Sequence, residues 1–180
     1  MRHIPTFTEN LARYVFAMNY CTRKNVIDLG CEDGHGTSLL SYAAAKITAV
    51  DISATNLSKA PQRYNFHRPI EFIQCDFEKD FPEGMWEVAT CFEVIEHLKN
   101  PDFFVENVSK HLVHGGKFIF SVPHMVANRF HKVLFDEQKI KELISSHLQL
   151  DEFYFQNEQI ISGKPVYKGI LTYIGVATKT

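Results

Sequence analysis

The chain has 180 residues, of which 45% are hydrophobic and 13% aromatic, and this composition predicts one globular domain over residues 1–180. Its formal charge of -2 at pH 7 provides no basic field for nucleic acid or anionic membranes, so both are disfavoured as partners. The chain has four cysteines without a Cys-x-x-Cys pair, no signal-peptide pattern and no apolar run near the roughly 20 residues that span a bilayer, which predicts a cytoplasmic protein without a membrane span.

Seven strand-like segments alternate with helix-like segments along the chain. A capping box at Thr6 and Glu9 is predicted to begin a helix before the first strand. Asn100, followed by proline, begins another helix after the fourth strand, and Asp136 caps a helix before the last two strands. The predicted strands are residues 25–29, 46–52, 70–77, 86–92, 117–122, 150–156 and 170–178.

This element order predicts an α/β fold. Parallel strands need long crossover connections, so five strands separated by helices indicate a doubly wound, mostly parallel sheet that is Rossmann-like. The two final strands are joined only by a loop, which predicts an antiparallel C-terminal pair and seven strands in all. In such sheets ligands bind outside the carboxyl ends of the strands, which is where candidate functional residues are expected.

The carboxyl ends of the first three strands have a pattern typical of nucleoside binding. The turn after the first strand reads DLGCEDGHGT over residues 28–37, and its acidic residues, without a lysine, disfavour a phosphate. Asp51 lies about twenty residues beyond the turn, at the separation where a carboxylate reaches a ribose diol. Asp76 beside Phe77 offers an acceptor for an exocyclic amine next to an apolar face. The sequence therefore favours a cationic nucleoside, with strand termination and helix capping as the alternative role of both aspartates.

Four segments of the chain read NVIDLGCEDGHGT, AVDIS, FIQCDFEKDFPEGMWEVATCFEVIEHL and HGGKFIFSVPH. Their order and spacing resemble those of class I S-adenosylmethionine-dependent methyltransferases, and the resemblance runs from about residue 9 to residue 155. The segments ENLARYVFA and NRFHKVLFDEQKIKELI look most similar to a small stand-alone subgroup often found beside glycan-biosynthesis genes.

The resemblance implies S-adenosylmethionine as cofactor and a small-molecule or glycan acceptor, with a hydroxyl favoured. N-methylation of a small amine is one alternative, and a module that binds the cofactor without catalysis is another. The oligomeric state stays open, with a homodimer as one alternative. Segments 3–8 and 125–135 are predicted to close over the site.

The resemblance also implies cofactor-binding roles for individual residues. Gly30 and Gly34 would let the backbone approach the methionine portion of the cofactor. Asp28 would lie near its ammonium group, directly or through water, Asp51 would bind the ribose hydroxyls, and Asp76 would bind the adenine edge. The complete expected set is Arg13, Asp28, Gly30, Cys31, Glu32, Gly34, Asp51, Ile52, Asp76, Phe77 and Phe92.

Two members of this set leave alternatives open. Arg13 would pair with the cofactor carboxylate or would be an ordinary solvated helix residue. Glu32 stands where the family normally has glycine. Its side chain would point outward, attract the cationic ligand or block the site.

Transfer to a hydroxyl needs a proton acceptor, and the candidates are His97, His124 and Glu93. The i, i+3 and i+4 spacing predicts that Glu93, Glu96 and His97 share one face of a helix after the fourth strand. This pattern resembles the metal site of small-RNA 2′-O-methyltransferases and ubiquinone-pathway O-methyltransferases, with His124 or His131 as a candidate further ligand. A divalent metal is an alternative that is not favoured, because EVIEHL also occurs in relatives that need none.

Overall fold

The computed structural model describes residues 7–127, 129–164 and 172–180. Thr6 of the predicted capping box, the start of the predicted lid at residues 3–6 and the first two residues of the last predicted strand lie outside this part of the chain. The helices are α1 (Phe7–Cys21), α2 (His35–Ala43), α3 (Ala54–Arg63), α4 (Pro101–His111) and α5 (Glu137–Ser145). The strands are β1 (Asn25–Leu29), β2 (Lys46–Asp51), β3 (Ile70–Gln74), β4 (Trp86–Phe92), β5 (Leu112–Pro123), β6 (Gln149–Asn157), β7 (Ile160–Ser162) and β8 (Thr172–Thr178).

One sheet joins these strands in the order β3-β2-β1-β4-β5-β8-β6-β7. The first five strands in this order pair in parallel, and the last three are added in antiparallel orientation. The mostly parallel sheet and its antiparallel C-terminal strands are confirmed, but the count of seven strands is wrong. The part of the chain that the structure describes forms eight strands, because β7 pairs with the end of β6. Three residues are too few for an alternating pattern to reveal a strand in the sequence.

Both faces of the sheet are covered by helices. Alternate residues of the central strands point to opposite faces, so each strand packs against helices on both sides. Val26 of β1 packs in the apolar cluster under α1 and α2, whereas Ile27 packs in the cluster under α4 and α5. Helix caps follow the sequence signals: Asn100 accepts a hydrogen bond from the amide of Phe103, and Asp136 accepts one from the amide of Lys139. None of the helices within the described ranges is long and apolar enough to cross a bilayer.

The predicted helix directly after β4 is not present. Glu93 has φ of 58°, a left-handed conformation that an α-helix excludes. Its amide lies 3.2 Å from both the backbone and side-chain oxygens of Ser121 on β5. Only a single 3₁₀ turn, Ile95–His97, follows. Glu93, Glu96 and His97 therefore do not share a helical face, and their arrangement depends on this tight turn.

Candidate functional site

The carboxyl ends of the parallel strands enclose a cavity of about 480 Å³, a volume within the range of about 300–1,000 Å³ typical of small-molecule sites. Seven of the eleven predicted cofactor residues lie on its wall. They are Gly30, Glu32, Asp51, Ile52, Asp76, Phe77 and Phe92. The structure thus brings the ends of β1, β2 and β4 and the segment after β3 to one opening, as expected for a doubly wound sheet.

The turn after β1 approaches the cavity closely because it begins with glycine. Gly30 has φ of 80°, and a Cβ atom there would lie 2.2 Å from Cγ2 of Val94. No side chain fits in this position without displacing Val94. The turn is bound to β2 through Asp51, whose carboxylate accepts hydrogen bonds from the amides of Glu32 at 3.0 Å and Ser53 at 2.8 Å. These bonds fix the orientation of the Asp51 carboxylate at the cavity wall.

The cavity wall also contains apolar surface and a second carboxylate. Ile52, which is 62% exposed, and the buried Phe77 both line the cavity. Asp76 accepts hydrogen bonds from Lys79 Nζ at 2.7 Å and from the amide of Glu78 at 3.2 Å. The bond from Lys79 is the main reason that the pKa of Asp76 is lowered, so this carboxylate is ionised at neutral pH.

The charge of the cavity wall is strongly negative. Its lining contains five carboxylates but no lysine or arginine among the residues described there. A wall of this composition attracts a cationic ligand and repels a phosphate. The five carboxylates belong to Glu32, Asp51, Asp76, Glu78 and Glu93.

Arg13 is a buried residue of α1. It is 1% exposed and lies behind the cavity wall rather than on it. Its guanidinium donates hydrogen bonds to Gln156 Oε1 at 2.8 Å and to Asn10 Oδ1, and it lies 3.8 Å from Glu93 Oε1. Since Asn10 and Glu93 line the cavity, Arg13 positions two wall residues. It is therefore not a solvated helix residue, and its pairing with a cofactor carboxylate stays a prediction.

Asp28 also lies behind the wall. It is completely buried, and its carboxylate accepts hydrogen bonds from the hydroxyls of Thr37 at 2.6 Å, Thr90 at 2.8 Å and Tyr14 at 3.4 Å. Burial raises its pKa, although the threonine hydroxyls oppose that shift. Tyr14 lines the cavity in its place. Asp28 is thus separated from the cavity by Tyr14, and its expected place near a ligand ammonium group, directly or through water, stays a prediction.

Cys31 and Gly34 lie outside the cavity lining as well. The Cys31 side chain is completely buried and packs against Ala49 and Leu57 beneath α3. Gly34 has φ of 86° and precedes α2, and a Cβ atom there would face Ala60 rather than the cavity. Both residues shape the turn from behind the cavity wall, and their expected roles in cofactor binding stay predictions.

Glu93 and His97 are the two predicted catalytic residues that reach the cavity. Glu93 Oε1 accepts a hydrogen bond from Ser121 Oγ at 2.9 Å. His97 Nδ1 lies 3.2 Å from the carbonyl oxygen of Phe130. A carbonyl can only accept, so Nδ1 carries the proton of the neutral ring and Nε2 keeps its lone pair. Partial burial lowers the pKa of His97, which keeps the ring neutral at pH 7.

His124 is not brought to the cavity. Its Nδ1 lies 2.5 Å from the hydroxyl of Tyr173, and its backbone pairs with that of Phe135 in an isolated bridge. This contact lies at the start of the antiparallel half of the sheet. The structure therefore separates His124 from His97, and only the latter lines the cavity.

A second cluster lies directly behind His97. Glu96 Oε1 is 3.7 Å from His97 Nε2 and 4.0 Å from His131 Nε2. His131 Nδ1 lies 2.6 Å from the carbonyl oxygen of Val126, so each imidazole turns its other nitrogen toward the carboxylate. The Glu96 side chain is almost completely buried and Oε2 has no hydrogen-bond partner among the described residues. Burial, and then the charge of Glu93, raise the pKa of Glu96 far above its usual range.

Two imidazoles and one carboxylate with ligand atoms within 4.8 Å of one another have the composition of a divalent-metal site. The predicted metal set of Glu93, Glu96 and His97 is changed by the structure. Glu93 is engaged with Ser121, and His131 takes its place. The left-handed backbone at Glu93 breaks the helical spacing on which the predicted set was based.

Sequence reasoning missed Asn10, Tyr14, His35 and Glu78 in the cavity wall. Asn10 and Tyr14 are four residues apart on α1, so they lie on the same helical face. That spacing indicated a shared face, but Tyr14 also fits the apolar face of α1 that packs against the core. Its hydroxyl contact with Asp28 gives the ring a polar end that only the fold reveals.

Comparisons with known proteins find one family over the central part of the chain. Residues 27–120, slightly more than half of the sequence, match a family described as methyltransferase domain. The chain is 30% identical over 107 residues to a probable S-adenosylmethionine-dependent methyltransferase of Mycobacterium tuberculosis, covering 59% of this chain and 38% of the relative. It is 28% identical over 104 residues to a ubiquinone biosynthesis O-methyltransferase of Rickettsia conorii, covering 57% and 36%. The chain thus spans less than half the length of these curated relatives.

Solved structures share the fold at low sequence identity. The N-methyltransferase NodS of Bradyrhizobium japonicum, in complex with S-adenosyl-L-homocysteine, has a TM-score of 0.73 and 18% identity, over 94% of this chain and 83% of that one. A complex of the Haloferax volcanii Trm112 methyltransferase activator with a methyltransferase matches with a TM-score of 0.81 and 14% identity, over 95% and 90%. At these identities the likeness establishes the architecture alone.

Proposed function

Because the chain belongs to the methyltransferase domain family, we propose that it binds S-adenosylmethionine in the acidic cavity and transfers its methyl group to a hydroxyl of a small-molecule or glycan acceptor. The observation that carries this proposal is the cavity wall, which has five carboxylates and no lysine or arginine among its described lining residues. The glycan part of the proposal is supported only by the sequence likeness of residues 9–17 and 128–144 to the glycan-associated subgroup.

The residues of the cavity fit this cofactor. Gly30 leaves room that a single added Cβ atom would fill, and Asp51 presents a fixed carboxylate suited to a ribose diol. Asp76 offers an acceptor for an exocyclic amine, beside the apolar surface of Ile52 and Phe77. S-adenosylmethionine supplies an electrophilic methyl group on a cationic sulfur, so the protein needs to orient the acceptor, exclude water and accept a proton.

His97 is suited to accept the proton of the acceptor hydroxyl. The carbonyl of Phe130 fixes its tautomer, which leaves Nε2 as the basic nitrogen. Its lowered pKa keeps the ring unprotonated at neutral pH, as a general base requires. The side chain is 42% exposed and lines the cavity, so an acceptor can reach it. Glu93 lies beside it on the same wall and is held by Ser121.

A divalent metal ion at Glu96, His97 and His131 is a second way to activate the same hydroxyl. The buried carboxylate oxygen without a hydrogen-bond partner favours this candidate, as do the two imidazoles whose Nδ1 atoms are bound to carbonyl oxygens. A cation there would lower the pKa of a coordinated hydroxyl. His97 Nε2 would then be a ligand and not the proton acceptor, so the two mechanisms exclude each other.

A small amine acceptor is a second candidate function. The negative wall favours a cationic amine over a neutral sugar. Such an acceptor must lose a proton before it attacks, so His97 would have the same role. A catalytically inactive binding module is the remaining alternative from another class, and turnover distinguishes it.

The proposal is tested by a product-release assay with radiolabelled methyl groups over a panel of hydroxyl and amine acceptors, including nucleotide sugars. We expect turnover with at least one hydroxyl acceptor. Turnover with amines alone would contradict the hydroxyl proposal. Cofactor binding without turnover on any acceptor would contradict the transferase proposal and support the binding module.

A chelator and one variant assign the mechanism within the same assay. If His97 is the base, chelation and His131→Ala leave the rate within about threefold, because His131 does not line the cavity. If a metal is used, both changes lower the rate by at least about 100-fold, and Mn²⁺ or Zn²⁺ restores the chelated protein only.

A further inference from the structure

Glu32 holds a costly backbone conformation on the cavity wall. Its φ is 53°, in the left-handed region where a residue other than glycine costs on the order of 1 kcal/mol. The side chain is exposed and lines the cavity, and the amide donates to Asp51. Glycine would adopt this backbone without strain. Compared with glycine, the glutamate at this position adds a charged carboxylate to the cavity wall.

The charge of Glu32 is not neutralised by any lysine or arginine in the described ranges of the chain. In the same turn Asp33 pairs with Arg63 Nη1 at 2.5 Å and with His35 Nδ1 at 3.4 Å. The Glu32 carboxylate lies within 4.8 Å of ligand atoms of Asp33 and His35. No described lysine or arginine forms an ion pair with Glu32, and Arg63, at the end of α3, pairs with Asp33 instead.

Other carboxylates of the wall are better balanced. Asp76 pairs with Lys79 at 2.7 Å, and Glu93 Oε1 lies 3.8 Å from the buried Arg13. Glu32 and Asp51, joined through the 3.0 Å bond from the Glu32 amide, therefore supply most of the uncompensated negative charge at the β1 and β2 end of the cavity. Of these two, Asp51 is suited to hydroxyl binding, whereas Glu32 acts on the ligand mainly through its charge.

We propose that Glu32 makes the cavity discriminate between S-adenosylmethionine and its demethylated product. The inference rests on the proposed function. Transfer breaks the S–CH₃ bond, whose electron pair stays on sulfur, and forms an O–CH₃ bond while the acceptor proton passes to a base. The ligand thereby loses one positive charge and keeps every hydroxyl and amine. An unbalanced carboxylate in the wall attracts the sulfonium and not the thioether, so it favours binding of the methyl donor and release of the product.

The test is calorimetric measurement of the dissociation constants of both ligands for the wild type and Glu32→Gln. We expect Glu32→Gln to bind S-adenosylmethionine more weakly. The dissociation constant of the demethylated product divided by that of S-adenosylmethionine should therefore fall by about five- to tenfold. The effect should shrink at high salt, because the carboxylate is exposed. Glu158→Gln is the matched control, since Glu158 has the same φ of 53°, is exposed and does not line the cavity. It should change the ratio by less than about twofold.

A second variant separates the loss of charge from a loss of stability. Glu32→Gly removes the charge and the strain together, so it should shift the ratio as Glu32→Gln does while the melting temperature stays equal or rises. An unchanged ratio in both variants, with both ligands still bound, would overturn the inference and leave the cofactor proposal intact. Failure of the wild type to bind either ligand would overturn the cofactor proposal itself.

Discussion

Gly30→Ala is expected to abolish S-adenosylmethionine binding and to lower the free energy of unfolding by about 2–4 kcal/mol. The new methyl group would lie 2.2 Å from Val94 Cγ2, and the residue would keep its left-handed φ of 80°. Either the turn or Val94 must move, and both form the cavity wall. Urea denaturation measures the stability, and calorimetry measures the binding.

Two variants separate the collision from the backbone strain. Gly115→Ala has nearly the same φ of 77° but nothing within 4 Å of the added atom, so it should lose only about 1 kcal/mol and keep full binding. In Gly30→Ala with Val94→Ala, the nearest remaining atom would be Val94 Cβ at 3.5 Å, and binding should partly return. Equal losses in the two single alanine variants would contradict the close approach at Gly30.

His97→Ala is expected to lower kcat by about 10²–10³-fold while the affinity for S-adenosylmethionine changes by less than about threefold. The His97 imidazole lies on the cavity wall, and the carbonyl of Phe130 fixes its tautomer with Nε2 as the basic nitrogen. Steady-state kinetics and calorimetry measure the two quantities. His124→Ala is the control: its ring is bound to Tyr173 away from the cavity, so its rate should stay within about threefold.

The role of His97 as a base also predicts how the rate of methyl transfer depends on pH. A general base works in its unprotonated form, so the rate falls as the pH drops through the pKa of His97. Burial lowers that pKa from its ordinary value of 6.5, so the acid limb of the rate profile should lie below pH 6.5. An acid limb above that value, or one that persists in His97→Ala, would contradict the assignment.

The positions of Asp51 and Asp76 could be predicted from the sequence because they depend only on local signals. Each follows an apolar segment that forms a strand of the parallel sheet, and parallel strands bring their carboxyl ends to one edge. Gly30 was predictable for the same reason, since it follows β1 directly. These residues form the part of the site that comes from strand order alone.

Residues whose environment depends on distant contacts could not be predicted. Arg13 is buried by Gln156, which lies 143 residues away in the sequence, and no local pattern on α1 reveals that partner. Asp28 sits inside β1 and points toward the hydroxyls of three separate elements. The alternation of side chains along a strand does not tell whether the side chain at the end of the strand faces the cavity or the space behind it.

Glu93 is missing from the cluster of Glu96, His97 and His131 for a backbone reason. The sequence EVIEHL supports a helix by its spacing, but Glu93 is held in a left-handed conformation by β5 and the chain forms a 3₁₀ turn instead. Tertiary contacts overrode the local pattern: Glu93 bonds to Ser121, and His131 lies near Glu96. His131 belongs to the segment after β5 that was expected near the site, and the backbone bonds from Lys132 and Val133 to Glu96 hold it there.

The central claim is that the carboxylates at the strand ends bind the adenosyl group of a cationic cofactor, and calorimetry of S-adenosylmethionine with the wild type and Asp51→Asn tests it most directly. Asp33→Asn is the matched control, since Asp33 lies in the same turn but pairs with Arg63 and does not line the cavity. We predict one-to-one binding to the wild type and to Asp33→Asn, and binding about 30- to 100-fold weaker to Asp51→Asn, because an ionised hydrogen-bond acceptor is lost. No binding to the wild type, or equal affinity in all three proteins, would contradict the account.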